Sequence, residues 1–229
     1  MRYVMSDIHG EYKLFQKMLK AISFGENDEL YICGDIIDKG DSSVRLAKYI
    51  SEQNNIHCII GNHEDAFLKY YRFLMENEED GNFSAVLEKL SEYFPEGEPV
   101  DWALIDWLES LPYYIVTEDF ICVHAGIPIL ENGQLQPLEN TREESLIHDR
   151  KFKNPGEVHL SPKCVFFGHT QTDCVSGKAR ILAYPRSNAS KPYRINDFYK
   201  IHLDTGAWSN GVLACFCVDT CKAYYVCKA

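Results

Sequence analysis

The chain has 229 residues, 45% of them hydrophobic, and a formal net charge of −11. That length suits one large domain or two small ones; no linker, repeat or low-complexity tract divides it, so a single domain over 1–229 is expected. The acidity argues against general nucleic-acid binding, no apolar run approaches a membrane span, and the early polar residues of Met1-Arg2-Tyr3-Val4-Met5-Ser6-Asp7 do not read as a signal peptide.

The first third alternates strand-like and helix-like segments. Tyr3–Met5 reads as a strand, and Glu11–Ser23 as a helix with Leu14, Phe15, Met18, Leu19 and Ile22 on one face. Leu30–Cys33 and Ile56–Ile60 read as further strands, followed by helices over Ser43–Gln53 and Glu64–Glu76. This β-α repeat predicts a mostly parallel sheet. Residues 77–110 read as an acidic helical insert carrying Glu76, Glu78, Glu79, Asp80, Glu88, Glu92, Glu96, Glu98 and Asp101. The remainder is strand-rich: 113–116, 120–123, 164–167, 181–184, 198–203, 212–218 and 223–227. Two facing sheets with helices outside are expected.

Nine cysteines, with no export signal, suit free thiols in a cytoplasmic protein. Cys33, Cys58, Cys122 and Cys164 have apolar neighbours and read as small core residues. Cys215, Cys217, Cys221 and Cys227 contain no Cys-x-x-Cys pair, which argues against a zinc site.

Five motifs follow strand-like runs: Asp7-Ile8-His9-Gly10, Gly34-Asp35-Ile36-Ile37-Asp38, Gly61-Asn62-His63-Glu64, His124-Ala125-Gly126 and Gly168-His169-Thr170. Asp7, Asp35 and Asn62 are 28 and 27 residues apart, about one β-α repeat, so their loops should meet at the carboxyl edge of the sheet. Asp7 and His9 stand two apart and can face the same way. The Asp35 carboxylate can bridge two cations, Asn62 offers a neutral oxygen, and His124 and His169 offer imidazoles from the second sheet. Six mixed oxygen and nitrogen donors suit two divalent ions, with Mn foremost for activity and Fe or Zn as alternatives. Two metals about 3.5–4 Å apart can bind phosphoryl oxygens and supply hydroxide for in-line attack. His63 can protonate the leaving oxygen, with Asp38 holding its ring. No Gly-x4-Gly-Lys-Ser/Thr loop suggests P-loop nucleotide binding.

In order and wording these motifs resemble the phosphoprotein phosphatase branch of the calcineurin-like metallophosphoesterases, over Met1 to about Val218. The resemblance implies a four-layer α-β-β-α sandwich. It also implies Asp7, His9 and Asp35 on one metal, Asp35, Asn62, His124 and His169 on the other, and a general-acid role for the His63–Asp38 pair. Where that family usually has Asp-Arg-Gly-Pro, this chain has Asp38-Lys39-Gly40-Asp41, and Ile60 replaces an Arg common before Gly-Asn-His-Glu. Lys39 keeps the charge without the bidentate fork. Arg150 resembles the family's phosphate-binding Arg of a Leu-Trp-x-Arg-like segment, with His148 near the Trp position. Asp204, in Leu203-Asp204-Thr205-Gly206-Ala207, reads as a residue orienting a ligand or as a turn residue.

Outside the motifs, no acidic residue occurs between Asp173 and Asp197, while Lys178, Arg180, Arg186, Lys191 and Arg194 do. With Tyr184, Pro185, Pro192 and Tyr193 this stretch reads either as a lip holding anionic substrate, through Arg186, Lys191 and Arg194, or as a solvated connector. The expected activity is phosphoester hydrolysis, first as a bacterial-type serine/threonine protein phosphatase. The alternative is a dinucleoside polyphosphate or other nucleotide hydrolase. A non-catalytic module on the same scaffold is a third reading, disfavoured because none of the six ligands is lost.

Overall fold

The computed structural model describes residues 1–78, 81–95, 97–191 and 193–228; Glu79, Asp80 and Glu96 of the acidic insert and Pro192 of the basic stretch lie outside these. Two five-stranded mixed sheets face each other. The first has the order β10-β9-β1-β2-β3, from β1 (Arg2–Met5), β2 (Glu29–Ile32), β3 (Ile56–Cys58), β9 (Val212–Cys217) and β10 (Lys222–Cys227). Its β1, β2 and β3 are parallel, as the β-α repeat predicts, and β9 and β10 join antiparallel beside β1. The second has the order β4-β5-β6-β8-β7, from β4 (Tyr114–Val116), β5 (Phe120–Val123), β6 (Cys164–Phe167), β7 (Leu182–Pro185) and β8 (Phe198–His202). Here β5, β6 and β8 are parallel, with antiparallel strands at both edges.

The period-2 alternation of side chains divides the core into layers. Val4, Phe120, Cys122, Phe166 and Phe216 fill the space between the sheets. Tyr3 and Met5 point the other way, onto α1 (Tyr12–Ala21), α2 (Ser43–Ser51) and α3 (Asn62–Glu76) through Phe15, Met18, Leu46 and Phe67. Ile121, Val123, Val165 and Phe167 pack outward against Phe152 and against Leu146 of α6 (Glu143–His148). Each large side chain so buried contributes about 1.5–3 kcal/mol.

Helices α4 (Phe83–Glu92) and α5 (Trp102–Ser110) occupy the acidic stretch. Asn82 and Asp101 cap them, each accepting from a backbone N–H three residues on. Val86, Leu90, Leu104 and Ile105 turn into the core shared with α1–α3, leaving Glu88, Glu92 and Asp101 in solvent. No helix is long and apolar enough to cross a membrane among the described residues.

Candidate active site

In both sheets the parallel strands end at one shared edge, and the five motifs follow those ends, four on loops and Gly61-Asn62-His63-Glu64 at the start of α3. The β1–β2 pairing continues into the loops: Asp7 N donates to Gly34 O at 3.1 Å, His9 N to Asp35 O at 3.0 Å and Gly10 N to Ile36 O at 2.7 Å. In the second sheet Gly168 N donates to His124 O at 2.7 Å, tying the two histidine loops together.

The backbone is strained where the polar side chains gather. Among the described residues, eight non-glycine positions have positive φ, and six of them are Asp7, His9, Asp35, Asp38, Lys39 and His169. Such conformations cost about 1–3 kcal/mol each and persist where the surroundings enforce them. Close approach enforces two glycines: a Cβ at Gly61 would lie 2.2 Å from Asp35 Oδ1, and one at Gly168 would lie 1.9 Å from Asp7 Oδ2.

Two triads share Asp35. One comprises His9, Asp35 and His63, the other Asp35, His124 and His169, and within each triad the donor atoms lie within 4.8 Å of one another. Asp35 Oδ2 is 3.3 Å from His124 Nε2, 3.7 Å from His9 Nε2 and 3.9 Å from His63 Nε2. Asn62 Oδ1 lies 2.9 Å from His124 Nε2 and 2.8 Å from His169 Nδ1. Main-chain carbonyls set two of the rings. His9 Nδ1 meets Ile37 O at 3.1 Å and His124 Nδ1 meets Cys33 O at 2.8 Å, so each ring donates through Nδ1 and turns Nε2 toward Asp35. Asp7 is not within either tight triad, because its carboxylate accepts the His169 backbone N–H at 3.1 Å and the Ser6 hydroxyl.

Burial dominates the electrostatics. It pushes Asp7 up to about 7, with the Asp35 charge adding to the push. Burial opposes the charge of Asp35 too, but His124, His9 and His63 around it hold its carboxyl well below the usual range. Burial lowers His9 to about 4 and His169 to about 3, leaving both rings neutral as metal ligation requires. Burial also works against a charge on His124, yet Asp35 and Asp7 push it up to about 10. Buried carboxylates beside neutral imidazoles, an amide oxygen aimed into the cluster, and a buried His169 Nε2 with no hydrogen-bond partner together fit divalent cations.

His63 Nδ1 is 2.6 Å from Asp38 Oδ2, and this hydrogen bond is the main cause that holds the Asp38 carboxyl below its ordinary value. Lys39 Nζ lies 3.0 Å from His9 Nε2, placing its charge at the site. Arg150 is exposed on the loop after α6. It stands close enough to His169 to help lower its pKa, after burial and His124.

The basic stretch goes elsewhere. Strand β7 runs antiparallel to β8, pairing Leu182 with His202 and Pro185 with Phe198, so the chain leaves the site edge as it proceeds. Arg186, Lys191 and Arg194 therefore come at the opposite end of the sheet from His169, about 13 Å along the strand direction. Arg186 donates to Asn196 O at 2.8 Å and Ser161 O at 2.6 Å and stacks 4.6 Å from the Tyr199 ring. Of the two readings of this stretch, the placement of Arg186, Lys191 and Arg194 favours the connector; of the five basic residues only Lys178 and Arg180 precede β7.

Further residues matter that the motif reading did not assign. Glu64 is fully buried and its carboxylate accepts four backbone N–H groups: Asp35 at 2.8 Å, Ile36 at 2.9 Å, Ile37 at 3.1 Å and Gly61 at 2.8 Å. It clamps the Asp35 loop onto the start of α3. The Gly-x-x-Glu spacing at a helix start was the available signal. His202, which no motif includes, stacks on Phe167 and donates to Thr170 O, supporting the His169 loop. His148 lies 6.1 Å from His169, ring to ring. Asp204 Oδ1 accepts from Gly206 N at 2.9 Å, the turn role, while burial and then the Asp7 charge push its pKa well up. All nine cysteines are free, and Cys215 and Cys217 sit in the apolar core.

A family model described as calcineurin-like phosphoesterase matches residues 3–183. Curated proteins named symmetrical bis(5'-nucleosyl)-tetraphosphatase, from Haemophilus ducreyi and from Wigglesworthia glossinidia brevipalpis, are each 32% identical over 129 residues, 55% of this chain and 44% of theirs. The chain thus spans about half the length of the curated relatives it matches. A crystal structure assigned provisionally as a diadenosine tetraphosphatase superposes with a TM-score of 0.69 at 19% identity, over 99% of this chain and 92% of that one. A Saccharomyces cerevisiae serine/threonine phosphatase gives 0.57 at 14% identity, over 100% and 80%. At such identities the structural likeness carries the fold alone.

Proposed function

The chain belongs to the calcineurin-like phosphoesterases, metal-dependent phosphoester hydrolases, and from that premise we propose that it hydrolyses dinucleoside polyphosphates. One observation carries the reading: two clefts large enough for a ligand arm lie beside the paired triads, one reached through Lys39, whose Nζ is 3.0 Å from His9 Nε2, and one through His148, whose ring is 6.1 Å from that of His169. At the His9 end lies a cleft of about 570 Å³ lined by Lys39, and at the His169 end one of about 640 Å³ lined by His148 and Arg150. A reacting phosphoryl group with a nucleoside on either side matches a site with a cleft beside each triad. The curated relatives support a nucleotide substrate over the phosphoprotein first expected from the sequence.

Asp7, His9 and Asp35 would hold one divalent ion, and Asp35, Asn62, His124 and His169 the other. When bound, such ions would neutralise phosphoryl oxygens and make water more acidic. In a tetraphosphate cut at its centre, water attacks one central phosphorus. The bond from that phosphorus to the bridging oxygen breaks, and the bridging oxygen leaves with the electron pair. Two nucleoside diphosphates result. Asp38 accepts from His63 Nδ1 and fixes the ring, leaving Nε2 as the nitrogen that can supply the departing oxygen's proton. Lys39 adds positive charge where phosphate oxygens gather.

Kinetics on diadenosine tetraphosphate and on a phosphoserine peptide, with Mn present, test the proposal. A higher kcat/KM on the dinucleotide, with nucleoside diphosphate as product and loss of turnover in chelator, is expected. Turnover of the peptide with none of the dinucleotide would overturn it.

A further inference from the structure

The cleft at the His9 end is unusual for so acidic a protein. Among the described residues its walls carry Lys13, Lys17, Lys39 and Lys228 against Glu11 and Asp41, where the whole chain has a net charge of −11. Three of these lysines already have partners: Lys228 Nζ pairs with Glu11 at 2.6 Å, Lys17 Nζ donates to Cys227 O at 2.9 Å and Lys39 Nζ meets His9 Nε2 at 3.0 Å. Among the described residues, the side chain of Lys13, one helical turn from Lys17 and exposed, makes no hydrogen bond or ion pair. Local positive charge set in a negative surface marks where an anion is received.

Trp208 stands on the same cleft with 48% of its surface exposed. Its loop is firmly tied. Gly206 N donates to Asp204 Oδ1 at 2.9 Å, Asn210 N to Gly206 O at 2.8 Å, and Lys228 N to Gly211 O at 2.8 Å. A large ring shown to solvent from a fixed loop, and not used in the core, offers a stacking face. The cleft also shares a wall with the metal-ligand cluster: Gly40 N donates to His9 O at 2.9 Å, and Lys39 Nζ is 3.0 Å from His9 Nε2. Lys39 thus stands at both the cleft and the cluster.

We infer that this cleft seats the distal half of the substrate, with a nucleobase stacked on Trp208 and the phosphates beyond the scissile bond running along Lys13, Lys17 and Lys39. The inference rests on the dinucleoside polyphosphate reading above. A phosphopeptide has one phosphate and no obligatory flat ring, so it would use neither the row of lysines nor the indole.

The probe is a methylene-bridged diadenosine tetraphosphate, which binds without being cut, added to the metal-loaded protein. Stacking should quench tryptophan fluorescence, and the quench should vanish in Trp208→Leu; Trp208→Phe, which keeps a flat ring, should bind the analogue more tightly than Trp208→Leu, read by competition. For the cleavable dinucleotide, Trp208→Leu should raise KM roughly five- to a hundredfold. Lys13→Gln with Lys17→Gln should raise it about tenfold, an effect that shrinks at high salt. Turnover of p-nitrophenyl phosphate, too short to enter the cleft, is followed in parallel to show that each variant is folded. Dinucleotide turnover with KM and quench unchanged in every variant would overturn the cleft and leave the proposed function standing. No dinucleotide turnover by the unaltered protein would overturn the proposed function. In that case a Trp208-dependent quench by the analogue would still support a nucleotide site, and its absence would sink the inference as well.

Discussion

Replacing Glu64 by Gln tests whether one buried carboxylate holds the Asp35 loop. The two side chains are nearly the same size, so packing is kept and only hydrogen bonding changes. Oε2 accepts from Asp35 N and Gly61 N, and Oε1 from Ile36 N and Ile37 N. Glutamine keeps one oxygen. Whichever way the amide turns, its NH2 group faces two backbone donors in a fully buried place. Two unsatisfied N–H groups at roughly 1–3 kcal/mol each give a loss of about 2–6 kcal/mol. The loop carrying Asp35 should loosen first, so metal affinity should fall at urea concentrations where the rest of the chain is still folded. The assay is urea unfolding in chelator, read by linear extrapolation, beside a metal titration of the native variant. A stability loss under about 1 kcal/mol with metal affinity unchanged would refute the clamp.

Three further outcomes are expected. His63→Asn should keep metal occupancy yet lose roughly 10²–10⁴-fold in kcat on alkyl phosphates and less on aryl phosphates, whose leaving groups need less protonation; an equal loss on both would count against the general acid. His159, fully buried, has its pKa lowered to about 4 by burial. The unfolded chain therefore binds a proton that the folded one refuses, so this contribution is full above about 6.5 and is lost as pH falls toward 4. By pH 5 the loss should be about 2 kcal/mol, and His159→Gln should abolish that part of the slope; parallel pH profiles for the two proteins would contradict it. In native, reduced protein the exposed Cys174 and Cys227 should react quickly with a thiol reagent, and the six buried cysteines only after unfolding. Stoichiometric zinc released by modifying Cys215 or Cys217 would instead reveal a second metal site.

Local pattern alone settled much of this protein. An apolar strand followed by Asp, Asn or His at β-α spacing is a property of short windows, so Asp7, Asp35 and Asn62 could be placed on one sheet edge before any coordinates. The pairing of His63 with Asp38 was likewise legible, and it appears at 2.6 Å. What the windows could not carry is direction and return. Strands β9 and β10 read as ordinary late strands, yet β9 crosses back to pair with β1 and carries β10 on its far side, a choice made by which sheet face their apolar side chains can cover. The +5 stretch after His169 was visible as composition, but antiparallel pairing of β7 with β8 carries Arg186 away from the site, and charge count holds no information about that heading. Glu64 gains its role from donors 27 to 29 residues earlier as well as from Gly61, and His124 is oriented by Cys33 O, 91 residues away. The Lys13, Lys17, Trp208 and Lys228 cleft joins the two ends of the chain, because β10 lies against α1. Side-chain chemistry is written residue by residue, whereas convergence depends on contacts between segments far apart in the chain, and only the folded sheets bring those segments together.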